Sequence, residues 1–259
     1  MPELPEAEAN RARIEEGALH RTITSISIHE TTHMDMPSPD ARRRLEGTQL
    51  TKTHRHGKYI FAGSATGPWL AVHLGMSGSL RTYDGDDNRP DYAKLIVRFE
   101  GDRRLAFRCP RKLGWVKIVE DPEGYIEEKG LGPDAMQIGD NAFAETIGKT
   151  KGALKSALMS QKKLAGIGNL WSDEILYRQG VGPEARGCDR SAGQLSDLHA
   201  EMRHVLQSVL DTGTTYSELP DDWLIHHRDE GAECPRCGGT ITRKKVGGRS
   251  AYHCAKHQS

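Results

Sequence analysis

The second residue of the chain is a proline and the third a glutamate. Initiator methionine is commonly trimmed before a small residue, and loss of Met1 turns Pro2 into a secondary amine with a carboxylate beside it. An α-amino group titrates near ~7.7–8.0, against ~10.4 for lysine, so at neutral pH a far larger share of it is the free, nucleophilic base. Such an amine attacks carbon electrophiles. At the anomeric carbon of a deoxyribose it would form an iminium, which acidifies the neighbouring sugar proton and permits strand scission by elimination, with Glu3 carrying protons. The same letters also suit an ordinary helix start, because Pro5 and Glu6 are favoured in a first turn.

At the other end, Cys234-Pro235-Arg236-Cys237 is followed after sixteen residues by Cys254-Ala255-Lys256-His257. Each two-residue gap lets a pair grip one ion from a tight turn, and the separation suits a two-stranded zinc hairpin. His253 is a rival fourth ligand, disfavoured by the strain of coordinating next to Cys254. Four protein ligands complete a tetrahedral zinc, so the metal orders the hairpin and has no open position for catalysis. Cys109 and Cys188 stand alone, and five cysteines so arranged are no disulfide framework but metal ligation in a reducing compartment.

Between these ends, Lys58 follows a glycine at an apparent strand start, where it can reach a phosphate. His73-Leu74-Gly75-Met76-Ser77-Gly78 is a glycine-punctuated turn with a methionine at its tip, and Cys109-Pro110-Arg111-Lys112-Leu113-Gly114 is a loop offering a cation and an apolar tip. An enzyme that acts on a base must extrude it from the stack, and side chains such as Met76, Arg111 and Leu113 can fill the vacancy. A core-filling methionine and an exposed strand lysine are the plainer accounts of Met76 and Lys58. Gly166-Ile167-Gly168-Asn169 opens a helix after two glycines, with Asn169 suited to the N-cap, which makes an anion site of backbone amides and dipole.

The chain is long enough for two domains of roughly 100–150 residues. Charge balances at 36 basic and 36 acidic residues, yet it is segregated: residues 234–259 hold six Lys or Arg and no acid, as do residues 103–117. Such segregation suits a phosphate-facing surface. No stretch approaches the ~18 apolar residues of a membrane span, and the start lacks a signal-peptide layout, which predicts a cytoplasmic address. A helix is predicted over residues 5–19, then short strands over 26–28, 58–62, 69–74, 93–99, 104–109 and 116–119, forming a sandwich or barrel. Glycines and prolines over 121–139 read as a linker, after which the pattern turns helical, with one helix from Lys151 to Met159 and another from Leu170 to about Gln179. The predicted domains are 1–120, a linker at 121–135, a helical domain at 136–230 and a finger at 231–259. Nothing in the pattern calls for an oligomer, so a monomer is the expectation.

Met-Pro-Glu-Leu-Pro-Glu, the Gly-Met-Ser-Gly turn, the string from Leu158 to Gly182 and the cysteine pairs together resemble the formamidopyrimidine-DNA glycosylase and endonuclease VIII family, and lean towards its first branch. The resemblance implies an α+β fold of two domains: an N-terminal β-sandwich with an N-terminal helix, then a helix–two-turns–helix domain ending in a zinc-finger β-hairpin. It implies a base-excision-repair enzyme acting on damaged duplex DNA, with Pro2 as Schiff-base nucleophile assisted by Glu3, Lys58 and Arg249, and β- then δ-elimination. Lys151, Lys155 and Asn169 would bind phosphates, Met76 would wedge the duplex, and the Asp173-Glu174 pair would hold the turn. The chain departs from the family's pattern at Leu113, where an aromatic is usual, at Cys109 in place of an acid, and at His257 in place of a fourth cysteine. A family histidine is also missing, with Arg89 close to its place, and residues 211–233 are short where the formamidopyrimidine branch has a capping loop.

Oxidised purines of the formamidopyrimidine or 8-oxoguanine type are the expected substrates. An oxidised-pyrimidine or abasic-site lyase is the rival within the family. Outside it stand a DNA module that senses lesions without processing them, and a small-molecule enzyme using the proline as a base, which would leave the finger and the basic turn without purpose.

Overall fold

The structure, a computed structural model, describes residues 2–64 and 67–258. Met1, whose removal the amine chemistry requires, lies outside them. The chain divides into two compact units, residues 1–130 and 131–259.

The first unit opens with α1 (Leu4–Ala18). Glu3 is its N-cap and forms a capping box with Glu6, whose carboxylate accepts the Glu3 N–H at 2.7 Å. Ala7, Ile14 and Ala18 give it a buried face. The remainder is β1 (Ile23–Ile28), a short α2 (Pro39–Arg43), β2 (Leu50–His56), β3 (Tyr59–Ser64), β4 (Trp69–His73), β5 (Ser79–Asp84), β6 (Ala93–Phe99), β7 (Arg103–Arg108), β8 (Trp115–Val119) and α3 (Pro122–Lys129). The strands make two antiparallel four-stranded sheets, ordered β1-β6-β7-β5 and β2-β3-β4-β8. Period-two alternation sends Leu95, Val97 and Phe99 of β6 and Leu105 and Phe107 of β7 into one core with Ile60, Ala62, Leu70, Val72 and Val116 of the other sheet. A sandwich with an N-terminal helix follows.

Two strands were not foreseen. β2 and β5 lie at sheet edges and are mostly polar, with Leu50 and Leu80 among their few core residues, so they lack a run of apolar alternation. The linker at 121–135 is a correction, because much of it is α3. Pro122 in the first turn, Asp121 accepting the Gly124 N–H at 2.6 Å, and the left-handed Gly130 at the end are helix signals that imitate linker punctuation. Tyr125 and Ile126 make the helix, packing on Phe61, Ala71, Trp69 and Trp115 of the second sheet's outer face.

The second unit holds α4 (Asp140–Gly148), α5 (Leu154–Leu158), α6 (Asn169–Arg178) and α7 (Ala192–Asp211), followed by the hairpin of β9 (Ile241–Val246) and β10 (Arg249–Cys254). Phe143, Ile147, Leu158, Trp171, Ile175, Met202 and Leu206 are among its fully buried side chains. The finger is not separate: Tyr177 of α6 and Leu224 share a cluster with Cys234, Ile241 and Cys254. The helix expected from Lys151 begins at Leu154, and Gly168 rather than Asn169 is the N-cap of α6.

One backbone contact fixes how the first unit presents its loops. Gly75 has φ +63°, and a Cβ there would overlap the Leu113 carbonyl and the Gly114 amide. Gly75→Ala is therefore expected to lower the urea unfolding midpoint and to displace the 109–114 loop, read as altered exchange of its amide protons, because both the left-handed backbone and the contact resist a side chain.

Candidate functional site

In the first unit the candidate residues are tied into one frame. Pro2 is partly exposed and precedes Glu3, which is 1% exposed at the positive end of α1. Lys58 is the second residue of a two-residue turn between β2 and β3, with Gly57 at φ +56°, so it stands at a hairpin tip rather than inside a strand. Arg55 braces that turn. Its Nη1 donates to the Gly57 carbonyl at 3.1 Å, and its Nε donates to Glu8 of α1 at 2.9 Å. Burial pushes the Glu8 carboxyl up, but Arg11 and Arg55 outweigh it and hold the group below its ordinary range. Helix start and lysine tip are thus linked through one carboxylate.

His73, at the end of β4, stacks on Trp115 with ring centroids 5.6 Å apart. Burial, with Lys58 nearby, pushes it down to about 4, so it is neutral at pH 7 and its Nδ1 accepts the Gly75 N–H at 3.3 Å. Beyond it Met76 is 43% exposed, and Leu113, across the Gly75 contact, is 56% exposed. Arg111 is exposed, and its backbone N–H donates to Ser77 Oγ at 3.4 Å. Cys109, where an acid is usual, is fully buried and its Sγ accepts the Gly114 N–H at 3.3 Å, closing the loop that carries Arg111 and Leu113.

In the second unit the organising group is Asp173, itself 1% exposed. One oxygen takes Lys155 Nζ at 2.5 Å, and the other takes Arg228 at 2.8 Å and the Tyr252 N–H at 3.3 Å. This corrects the role expected of Lys155. Its side chain is fully buried and its ammonium faces Asp173, Ser172 and the Asn169 carbonyl, so it is a structural cation and not a surface contact. Lys151, by contrast, is exposed just ahead of α5. Asn169 opens α6, its carbonyl held by Lys155 and Arg228 and its Oδ1 buried with no hydrogen-bond partner among the described residues. Neighbouring Glu174 accepts the Leu224 and Ile225 N–H groups at 3.0 and 2.8 Å, and burial pushes it up to about 7 despite those bonds. Arg249 is exposed directly after the Gly247-Gly248 turn of the hairpin, and Gly247 packs so closely on Ser156 of α5 that a Cβ would overlap it.

The ligand atoms of Cys234, Cys237, Cys254 and His257 all lie within 4.8 Å of one another, with Cys234 Sγ to His257 Nδ1 at 3.4 Å and Cys237 Sγ to Cys254 Sγ at 3.5 Å. Tetrahedral zinc with bonds of about 2.0–2.3 Å demands such spacings. His257 Nε2 lies 3.1 Å from the Tyr177 carbonyl; donating there leaves Nδ1 free for a metal. His253, the rival, turns away from the cluster to Thr242 Oγ1 at 3.3 Å.

Residues 1–116 match the formamidopyrimidine-DNA glycosylase N-terminal domain, residues 130–220 its H2TH domain, and residues 231–256 the zinc finger found in FPG and IleRS. Formamidopyrimidine-DNA glycosylase of Geobacter metallireducens is 31% identical over 270 residues, spanning all of both chains. The chain belongs to the formamidopyrimidine-DNA glycosylase family. The Laribacter hongkongensis member is 29% identical over 268 residues, 98% of each chain. Among solved structures, MutM in complex with DNA containing carbocyclic 8-oxo-G superposes with a TM-score of 0.89 at 25% identity over all of both chains. Lactococcus lactis Fpg (MutM) in complex with Fapy-dG-containing DNA gives 0.86 at 26% identity, covering 99% of this chain and all of that one.

Within this glycosylase fold the four ligands hold one structural zinc. No described helix is long and apolar enough to cross a membrane. Arg55, His73 and Arg228 are the functional supports that sequence reasoning missed. Arg228 lies 55 residues from Asp173 and no local pattern joins them, whereas His73 stood in the quoted motif without a role.

Asp173→Asn leaves the buried Lys155 ammonium without its counter-charge, and a loss of roughly 3–5 kcal/mol is expected from urea unfolding. For the finger, atomic absorption is expected to find one zinc per chain. Chelation, or His257→Ala, is expected to abolish hydrogen-exchange protection across β9 and β10 while leaving the first unit's strands protected.

Proposed function

We propose that this chain is a bifunctional DNA glycosylase and abasic-site lyase that removes formamidopyrimidine and 8-oxoguanine bases from duplex DNA. The observation that carries the reading is Pro2 beside the buried Glu3 at the head of α1, in a chain related to named formamidopyrimidine-DNA glycosylases over its full length. With Met1 gone, the Pro2 nitrogen bonds to C1′ of the damaged nucleotide. The bond to the base breaks with proton transfer to the leaving base, the amine sheds its own proton, and the C1′–O4′ bond then opens with a proton delivered to O4′, so that a ring-opened iminium remains. Loss of a C2′ proton expels the 3′ phosphate, and a second elimination expels the 5′ phosphate. The helix dipole disfavours a further positive charge at the amine, which favours its nucleophilic form. Glu3 moves the protons.

Lys58, at its hairpin tip, neutralises the phosphate next to the lesion, and Arg249, at the other hairpin's tip, grips flanking phosphates and assists the second elimination. Lys151, just ahead of α5, and Asn169, at the start of α6, bind backbone phosphates, and the dipole of α6 favours an anion at its head. Met76, Arg111 and Leu113 fill the space left by the extruded nucleotide. The zinc orders the strand that carries Arg249 and takes no part in bond breaking. The work is cytoplasmic, on the nucleoid, by a monomer.

Leu113 in place of an aromatic and the short 211–233 segment favour a second reading, in which oxidised pyrimidines or bare abasic sites are processed. Borohydride trapping separates the two. Met1-free protein is mixed with duplexes bearing 8-oxoguanine, dihydrothymine or an abasic site, beside a Pro2→Gly control. Covalent complex on the 8-oxoguanine duplex, weakened at least tenfold in the control, is expected. Trapping only on dihydrothymine or the abasic site selects the second reading, and no complex on any duplex rejects the lyase.

A further inference from the structure

Among the described residues, the large apolar side chains that stand exposed are Met76, Tyr92 and Leu113, and all three belong to one edge of the first unit. Met76 and Leu113 meet through the Gly75 contact. Tyr92 joins them because its carbonyl accepts the N–H of Cys109, the residue that opens the Leu113 loop, at 3.1 Å. Its ring is 58% exposed. Tyr92 is also the third residue of a turn closed by Ala93 N–H to the Pro90 carbonyl at 3.4 Å, and its φ is +60°. That position ordinarily takes glycine or asparagine, since a β-carbon is strained there. A bulky aromatic is held in an unfavourable backbone with its ring in water, and burial offers no compensation.

The surroundings are cationic. Arg81 of β5 and Arg108 of β7 share one face of their sheet, Arg81 opposite Ala106 and Arg108 opposite Ser79. They line a trough of about 340 Å³ with Thr82, Asn88, Pro90 and Asp91. Arg108 Nε donates to the Asp91 carbonyl at 2.8 Å, while the Arg81 guanidinium has no hydrogen bond or ion pair among the described residues. The Asp91 carboxylate is the one acid on this lining, against two guanidinium groups. An exposed aromatic face beside unneutralised arginines is the composition of a single-stranded nucleotide site, where the ring stacks on a base and the cations take its phosphate.

We infer that Tyr92, with Arg81 and Arg108, forms an accessory subsite for the nucleotide opposite the lesion, the one left without a partner when Met76 and Leu113 occupy the stack. The subsite rests on the proposed function, and supplies from a neighbouring turn the aromatic surface that Leu113 lacks. Tyr92 stacks on the orphaned base and Arg81 neutralises the adjoining phosphate.

The test uses full-length, zinc-loaded protein and duplexes with a tetrahydrofuran abasic analogue opposite 2-aminopurine. Wild type and Tyr92→Phe are expected to quench the 2-aminopurine on binding. Tyr92→Ala is expected to lose the quench and to bind about five- to hundredfold more weakly. Because the ring is exposed and the backbone left-handed, Tyr92→Gly is expected to lose the same binding while melting no lower than wild type, which a structural role for the ring would not allow. Arg81→Ala is expected to reduce the slope of log K against log salt by about one. Equal affinity and equal quenching in wild type, Tyr92→Ala and Tyr92→Gly would overturn the subsite. Borohydride trapping of wild type on a natural abasic duplex, run alongside, reports the lyase reading separately, so failure of one is not mistaken for failure of the other.

Discussion

The buried carboxylate of Asp173 is the interaction on which the second unit depends. A charge in that environment is tolerable only when it is fully paired, and three groups from three parts of the chain converge to do so: Lys155 from α5, Arg228 from the segment ahead of the finger, and the Tyr252 amide from β10. Each partner brings its element with it. The same cations hold the Asn169 carbonyl, so the start of α6 and the hairpin bearing Arg249 are set by one electrostatic knot. Arg228 also lies over the Tyr252 ring, 4.4 Å from its centroid, which joins hairpin and helix a second time. Zinc closes the far end of the hairpin, where His257 and Cys234 both meet Tyr177 of α6.

The first unit repeats the device with an ion pair nearer the surface. Glu8 gathers Arg11 and Arg55, and Arg55 passes the restraint to the Gly57 carbonyl at the foot of Lys58. On the other flank a neutral His73 does with a lone pair what a charge does there, accepting the Gly75 amide and stacking on Trp115. Reactive groups at tips and termini are the least constrained parts of any chain. In both units their rigidity comes from partly or wholly buried polar pairs a few residues away along the chain.

Sequence patterns revealed what is local. The cysteine spacing led to the zinc ligands, the alternation in β6 to its core face, and the glycine turn to the head of α6. What stayed hidden depends on distant partners. Lys155 reads as one more basic residue until Asp173, eighteen positions on, is seen to swallow its charge. β2 and β5 carry too few apolar residues to announce themselves, because an edge strand needs only one neighbour. α3 was concealed by its own caps, since Pro122 and Gly130 punctuate a loop as readily as they bound a helix.

The contact between Gly75 and the Leu113 backbone also bears on how such a protein diverges. It is made by main-chain atoms on both sides, so no compensating substitution elsewhere can restore it once a side chain intrudes. The roots of the two loops are therefore frozen. Their tips are not, because Met76 and Leu113 project into water from a mount that makes no demand on their size. Evolution can exchange an aromatic for a leucine at such a tip in a single step, without first destabilising the scaffold.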